Sequence, residues 1–242
     1  MPLKSSAINL HQPLLSRAYS EPRQTVFRKL AAAICLGAIV LMTSCVAPPP
    51  VRAEQPIQQQ SVFKNPYPVG TYEHFRARQD YLKTTENFKD YEVLERTNPD
   101  NSRIVVSLTT QRAQLMNGDE VAIDYAVSTG TANYPTPAGE YKIREMIVDK
   151  HSNEYGKIYD AAGNVVKSNA NMPSDKGEIP EGGEYIGAAM PYWMRLTWSG
   201  IGMHVGNVPR YPASHACIRG QSHIMPIIYS KVKILTPVSI VD

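Results

Sequence analysis

The chain has 242 residues, 43% of them hydrophobic and 19% charged, with three cysteines, 25 Lys and Arg, and 22 Asp and Glu. That is enough apolar material for one good core plus extensions. The formal charge of +3 is an N-terminal effect, because five basic residues (Lys4, Arg17, Arg23, Arg28, Lys29) but only one acidic residue, Glu21, precede Cys45. The remainder is close to neutral, which argues against a nucleic-acid partner.

Residues 1–44 read as an export signal. Arg28 and Lys29 are followed by an apolar run from Leu30 to Met42 and by Thr43-Ser44-Cys45, small residues ending in a cysteine. The run is shorter than the roughly 20 residues of a membrane-spanning helix. It resembles a bacterial lipoprotein signal, in which Cys45 is lipidated and tethers the chain to a membrane, facing the periplasm in the cell envelope. An ordinary secretory signal or an uncleaved anchor leads to the same side. Residues 1–25 are long for such a signal, and a start at Val26 gives a compact one. Residues 45–66, rich in Pro and Gln, read as a tether. Residues 67–102 carry scattered aromatics among charges and read as a lead-in segment that packs on the outside of the domain, with a short helix near Glu92.

From residue 103 onward the pattern is that of a single domain, 103–242. Ile104–Leu108, Arg112–Met116 and Val121–Val127 alternate with period two, and Asn117-Gly118 between the last two is a strong hairpin signal. Tyr141–Ile143 and Val238–Val241 read as further strands. No βαβ alternation is present, so the fold class is mostly β rather than a doubly wound parallel sheet. Residues 149–184 are polar and turn-rich, and read as a solvated loop with a hairpin around Ala162-Gly163-Asn164. Asp149, His151 and Glu154 lack any metal-ligand spacing, so no metal is expected. Residues Gln221 to Lys233 read as a short helix, with Pro226 tolerated in its first turn.

The stretch Trp198–Arg219 (WSGIGMHVGNVPRYPASHACIR) gathers two histidines, two serines, two arginines and a cysteine in a segment dense in Gly and Pro. Cys35 falls in the export signal and Cys45 takes the lipid, which leaves Cys217 alone in the mature chain. A lone thiol in an oxidising compartment is either a buried bystander or a reactive group. Cys217 as nucleophile with His204 as proton acceptor and donor is the apparatus of thiol-based acyl transfer.

Four motifs in order, Val127-Ser-Thr-Gly130, Thr136-Pro-Ala-Gly-Glu-Tyr141, Ile201-Gly-Met-His204 and Ser214-His-Ala-Cys-Ile-Arg219, resemble the L,D-transpeptidases, the YkuD-type family acting on bacterial peptidoglycan. The resemblance implies a β-sandwich or barrel-like catalytic domain with one short helix after Cys217. It places the nucleophile on Cys217, the proton carrier on His204, thirteen positions earlier, and supporting roles on Ser214, His215 and Arg219. The implied substrates are peptidoglycan stem peptides, with no cofactor. Backbone N–H groups at Ala216 and Cys217 are the expected oxyanion donors, Arg219 an anchor for the loop or for a substrate carboxylate, and Tyr134, Tyr192 and Trp193 candidate substrate contacts.

Two positions depart from the family pattern. Ala216 stands where the motif has Gly, and is costly only if its φ is positive. Gly220 replaces an apolar residue, and the turn after it is expected to be loose. The enzymatic alternatives are a carboxypeptidase or a protein-to-wall transferase using the same acyl-enzyme. The alternative from another class is an inactive wall-binding lipoprotein.

Overall fold

The computed structural model describes residues 63–242 apart from Pro173. The export signal, Cys45 and most of the tether lie outside the described residues.

The lead-in segment forms helix α1 (Tyr72–Arg76), strand β1 (Phe88–Lys89) and helix α2 (Tyr91–Arg96). Both helices have side-chain caps: Thr71 Oγ1 accepts from the His74 N–H at 3.2 Å, and Asp90 accepts from the Val93 N–H at 3.0 Å. Strands β2 (Ser102–Ser107), β3 (Arg112–Asn117) and β4 (Glu120–Ser128) follow as an antiparallel meander. Gly118, with φ of +57°, turns β3 into β4 where the hairpin signal stands.

Next come β5 (Gly139–Lys142), β6 (Glu145–Ile147), β7 (His151–Tyr159), β8 (Val165–Asn171), β9 (Glu184–Ala189), β10 (Trp193–Arg195), β11 (Gly202–Val205) and β12 (Ile218–Gly220). Helix α3 (Met225–Ser230) and strand β13 (Pro237–Val241) end the chain.

The main sheet runs β5-β13-β2-β3-β4-β12-β11-β10-β6, with β1 added on β4. Its two edge strands, β5 and β6, are joined by Ile143 and Arg144 alone. Two residues cannot span an open sheet of this width, so the sheet curls until its edges meet. Ile104 and Val238 from one side and Met194 and Met203 from the other share a single core with Ile224 and Ile228 of the helix region. The fold is mostly β with a short helix after Cys217, as the sequence suggests. Pro226 sits in the first turn of α3, where its missing N–H costs nothing.

β4 is buried on both faces from Ala122 to Ser128. Ile123, Tyr125 and Val127 face the core. On the other face Asp124 meets the lead-in: Tyr72 and Tyr81 each donate to its Oδ2 at 2.8 Å, and Arg112 pairs with its Oδ1. The Arg112 guanidinium also donates to the carbonyl of Glu86 at 2.9 Å and lies 4.8 Å from the Tyr81 ring centroid and 5.0 Å from that of Phe75. Burial beside the Asp124 carboxylate pushes the Tyr81 phenol up to about 12 and Tyr72 higher still.

Residues 149–184, expected as solvated loop, contain regular structure instead. β8, β7 and β9 form a separate three-stranded sheet, here termed the flap, and the hairpin expected at Ala162-Gly163-Asn164 joins β7 to β8. Most side chains on β7 and β8 are exposed or half-exposed, so no apolar alternation marks them. The strands are held by their backbones at close approach. A Cβ at Gly187 would stand 2.0 Å from the Ser152 carbonyl, and one at Gly156 2.2 Å from that of Ile186.

The turn after Gly220 is not loose: the Gln221 carbonyl accepts from the N–H groups of Ile224 at 3.1 Å and Met225 at 3.0 Å. Gly220 itself lies buried within β12, and a Cβ there would sit 2.3 Å from Met225 Sδ. Met225 of α3 fills the space that a side chain at 220 would take.

Candidate active site

Strands β11 and β12 run parallel, with Met203 opposite Ile218 and His204 opposite Arg219. Side chains two residues apart on a strand share a face, so Cys217, immediately before β12, falls on the side of Arg219 and hence of His204. All three line one cavity of about 600 Å³, together with Tyr134, Tyr155 and Glu154.

The loop carrying Cys217 is fixed through its backbone. The carbonyl of Thr129 accepts from the N–H groups of Ala213 and Ser214, and Thr131 N–H donates to the Ser214 carbonyl at 3.0 Å. Ser214 is buried and its hydroxyl donates to the Cys217 carbonyl. Thr136 joins the two halves, since its Oγ1 accepts from the Gly130 N–H and donates to the Ala216 carbonyl, each at 2.8 Å. Gly130 is required by contact: a Cβ there would lie 2.1 Å from the Tyr134 carbonyl and 2.8 Å from Ala216 Cα. Arg210 clamps the loop from outside, donating to the carbonyls of Leu82 at 2.8 Å and Thr110 at 3.1 Å.

Ala216 has φ of +67°, the left-handed region in which a Cβ is strained by roughly 1–2 kcal/mol. Its N–H donates to the Tyr134 carbonyl at 3.0 Å. That corrects the expectation that Ala216 supplies an oxyanion donor, since its N–H is already engaged in holding the loop.

His204 is 7% exposed. Its Nδ1 lies 2.7 Å from the Val205 carbonyl, which can only accept, so Nδ1 carries the hydrogen and Nε2 the lone pair. Burial, with the Arg219 cation adding to it, lowers its pKa to about 4. The Cys217 thiol sits 3.6 Å from the Gly200 carbonyl. Burial pushes its pKa up, against the opposing pull of the Gly202 N–H and the Arg219 guanidinium. At neutral pH the resting pair is therefore thiol and imidazole, both uncharged.

His215 is exposed and lies between two rings, 4.4 Å from Tyr134 and 4.6 Å from Tyr155 of the flap, so it joins the loop to the flap. Arg219 lays its stem against Gly206, where a Cβ would meet its Cγ at 2.8 Å, and makes no ion pair with a described residue. A second groove of about 680 Å³ runs along the flap and shares Tyr134, Tyr155, His215 and Arg219 with the first.

Tyr192 does not line the cavity. It packs edge-on against Tyr229 at 5.5 Å, with φ of +56°. Trp193 is 1% exposed and belongs to the interior; its Nε1 donates to Glu145 at 3.0 Å, and it borders only a small neighbouring cleft. Their aromatic character came from packing rather than from a groove. Glu154, Tyr155, Thr136 and Arg210 were missed as site residues. Thr136 lies inside a quoted motif and Arg210 inside the stretch Trp198–Arg219, Glu154 drew attention only as a metal ligand, and Tyr155 carried no signal. Among the described residues no three His, Cys, Asp or Glu side chains are grouped to hold a metal, and His151 stands exposed 3.9 Å from Asp149.

Comparison with solved structures finds an L,D-transpeptidase from Mycobacterium smegmatis, 16% identical over 59% of this chain and 59% of that one, with a TM-score of 0.44. It also finds L,D-transpeptidase 1 of Mycobacterium tuberculosis, 22% identical over 58% and 62%, with a TM-score of 0.40. L,D-transpeptidase 3 of the same organism, in complex with a faropenem-derived adduct, is 20% identical over 59% and 60%, with a TM-score of 0.42. Each alignment spans less than two thirds of the solved relative's own length. No curated protein matches the sequence. Residues 101–240 match the family described as the L,D-transpeptidase catalytic domain, YkuD, and this match over more than half of the chain places the protein in that family.

Proposed function

We propose that the protein is a peptidoglycan L,D-transpeptidase whose nucleophile is Cys217 and whose proton carrier is His204. The observation that carries this reading is the pair itself: an imidazole with a free Nε2 lone pair on β11 and a thiol immediately before the neighbouring β12, both lining one cavity. Membership of the L,D-transpeptidase family supports it.

In this mechanism Nε2 of His204 takes the thiol proton as sulfur attacks the carbonyl of the third stem residue, at its bond to the terminal D-Ala. With Ala216 N–H engaged, the Cys217 N–H is the donor left on the loop for the oxyanion. The imidazolium returns its proton to the departing D-Ala amine, leaving a thioester on Cys217. A second amine then attacks and joins two stems. Water in its place gives a carboxypeptidase, and a protein amine gives attachment of that protein to the wall. The free guanidinium of Arg219 favours a substrate carboxylate over loop anchoring as its partner. Two grooves sharing one wall suit two stem peptides. The export signal and Cys45 add a lipid anchor that faces the enzyme toward the wall.

Two solved relatives carry carbapenem-class or penem ligands, imipenem and a faropenem-derived adduct. Incubation with imipenem, followed by intact-mass and peptide mapping, is expected to place one adduct on Cys217. Cys217→Ala should remain unmodified, and a tetrapeptide stem should release D-Ala only with the parent enzyme. An unmodified parent protein would favour the inactive wall-binding alternative, for which Ala216 is the motive.

A further inference from the structure

Trp198 belongs to the stretch that carries His204 and Cys217, yet the reaction above gives it no part. It stands in the turn between β10 and β11 and is 71% exposed, although so large an apolar ring is ordinarily covered. The turn is built to hold it there. The Thr197 carbonyl accepts from the Gly200 N–H at 3.3 Å, and Thr197 Oγ1 accepts from the Ile201 N–H at 3.0 Å. Two guanidiniums steady the ring, with Arg144 Cζ 5.8 Å and Arg195 Cζ 5.7 Å from its centroid. Each is fixed in turn: Arg144 Nε donates to the Leu196 carbonyl at 3.0 Å, and Arg195 Nε donates to Glu145 at 2.9 Å. A ring that is held in place and still open to solvent is preorganised for stacking.

Beside the ring lies a cleft of about 200 Å³, lined also by Ser152 and Asn153 of the flap and by Ser199. It adjoins the catalytic cavity, with which it shares Ser152, Ser199 and Gly200. Pockets for larger small molecules hold roughly 300–1,000 Å³, so this one suits a single ring. Ser152 Oγ already accepts from the N–H groups of Glu154 at 3.2 Å and Tyr155 at 2.9 Å, which leaves its own hydrogen to donate. The Asn153 side-chain oxygen lies 3.5 Å from Lys150 Nζ, and its amide hydrogens have no partner among the described residues. An aromatic surface edged by hydroxyl and amide donors matches a pyranose that bears an acetamido group. The C–H face of the sugar packs on the ring, and the acetamido carbonyl and the hydroxyls take the donors.

The spacing to the reacting atom fits the same ligand. Cys217 Sγ lies 3.6 Å from the Gly200 carbonyl, and Trp198, two residues before Gly200, is within about 7 Å of it along the chain. A stem attacked at its third residue has two residues between that residue and its sugar, a span of about 7 Å when extended. Resting on the acyl-transfer reading above, we propose that this cleft is a subsite for the N-acetylated sugar that carries the donor stem, stacked on Trp198 and hydrogen-bonded by Ser152 and Asn153. The sugar then bridges the flap and the β10–β11 turn, and holds the stem across the cavity.

Binding is read first, without turnover. Titration with the peptide-free disaccharide of N-acetylglucosamine and N-acetylmuramic acid, followed by saturation-transfer NMR, is expected to show binding to the parent. Trp198→Ala should bind it about tenfold more weakly, and Trp198→Phe should recover part of the loss. Both substitutions are at an exposed position and keep the fold, which circular dichroism checks. Turnover is read next, as release of D-Ala from a tetrapeptide stem carried on that disaccharide and from the same stem without sugar. The parent is expected to show about tenfold higher kcat/KM for the first, through KM, and Trp198→Ala to bring the two within twofold. Equal use of the two stems by the parent, or disaccharide bound by Trp198→Ala as tightly as by the parent, overturns the proposal. If neither stem is cut while the disaccharide still binds at Trp198, the acyl-transfer reading falls and the sugar subsite stands.

Discussion

The hydroxyl of Thr136 donates to the carbonyl of Ala216, one residue before Cys217, at 2.8 Å, while accepting from the Gly130 N–H on its other side. One buried side chain thereby couples the loop after β4 to the loop before β12. Thr136→Val keeps the shape and removes both bonds, leaving a buried donor and a buried acceptor without partners. The expected cost is about 1–3 kcal/mol in chemical denaturation, with slower acylation by imipenem. Thr136→Ser keeps the hydroxyl and should restore the acylation rate; failure of Ser to do so would remove the bridge from the explanation.

The left-handed backbone of Ala216 makes a second prediction. Ala216→Gly relieves strain of roughly 1–2 kcal/mol, of which about 0.4–1 kcal/mol is given back as greater freedom of the unfolded chain. A rise in melting temperature of about 2 °C is expected by calorimetry. Because Tyr134 and Thr136 already hold both polar groups of the Ala216 backbone, acylation should change by less than about threefold. A gain of a hundredfold would mean instead that the methyl group impairs the site.

His204 ties stability to pH. Its folded-state pKa of about 4 lies below the ordinary 6.5, so between those values the unfolded chain binds a proton that the native protein does not. Stability falls as pH drops through that window, by an amount on the order of 3 kcal/mol, and the slope from His204 fades out about one unit above 6.5. Denaturant melts of the parent and of His204→Gln from pH 7 to pH 4 should show the parent losing more. Parallel curves would contradict the burial argument.

Asp124 and Arg112 form a buried pair, their side chains 0% and 1% exposed. Asp124→Asn leaves the Arg112 cation without its counter-charge, and is expected to destabilise the protein by about 3–5 kcal/mol. The loss should appear first in residues 63–97, read by limited proteolysis, because Tyr72 and Tyr81 reach the domain through the same carboxylate. Proteolysis that begins in the flap instead would show that the lead-in does not depend on this pair.

The strands around the core were legible because one face of β2 is buried and the other half-open, giving Ile104 and Val106 their alternation. β4 was legible to within one residue at each end, although the lead-in covers its second face and buries Asp124 along with Tyr125. The flap was illegible for the opposite reason, its strands having little to bury on either side. Within the site, the sequence named Cys217 and His204 by residue type, and the structure brings both to one cavity. It did not show that the Ala216 N–H is engaged by Tyr134, nor that Glu154 enters from the flap, because both depend on backbone meeting backbone across long separations in the chain.

The burial that raises the pKa of the Cys217 thiol also bears on its resistance to oxidation. Peroxide attacks the ionised form of a cysteine, and the climb from sulfenic to sulfonic acid begins there. A thiol kept protonated at rest offers little to an oxidant, so the surroundings that hold it uncharged also protect it.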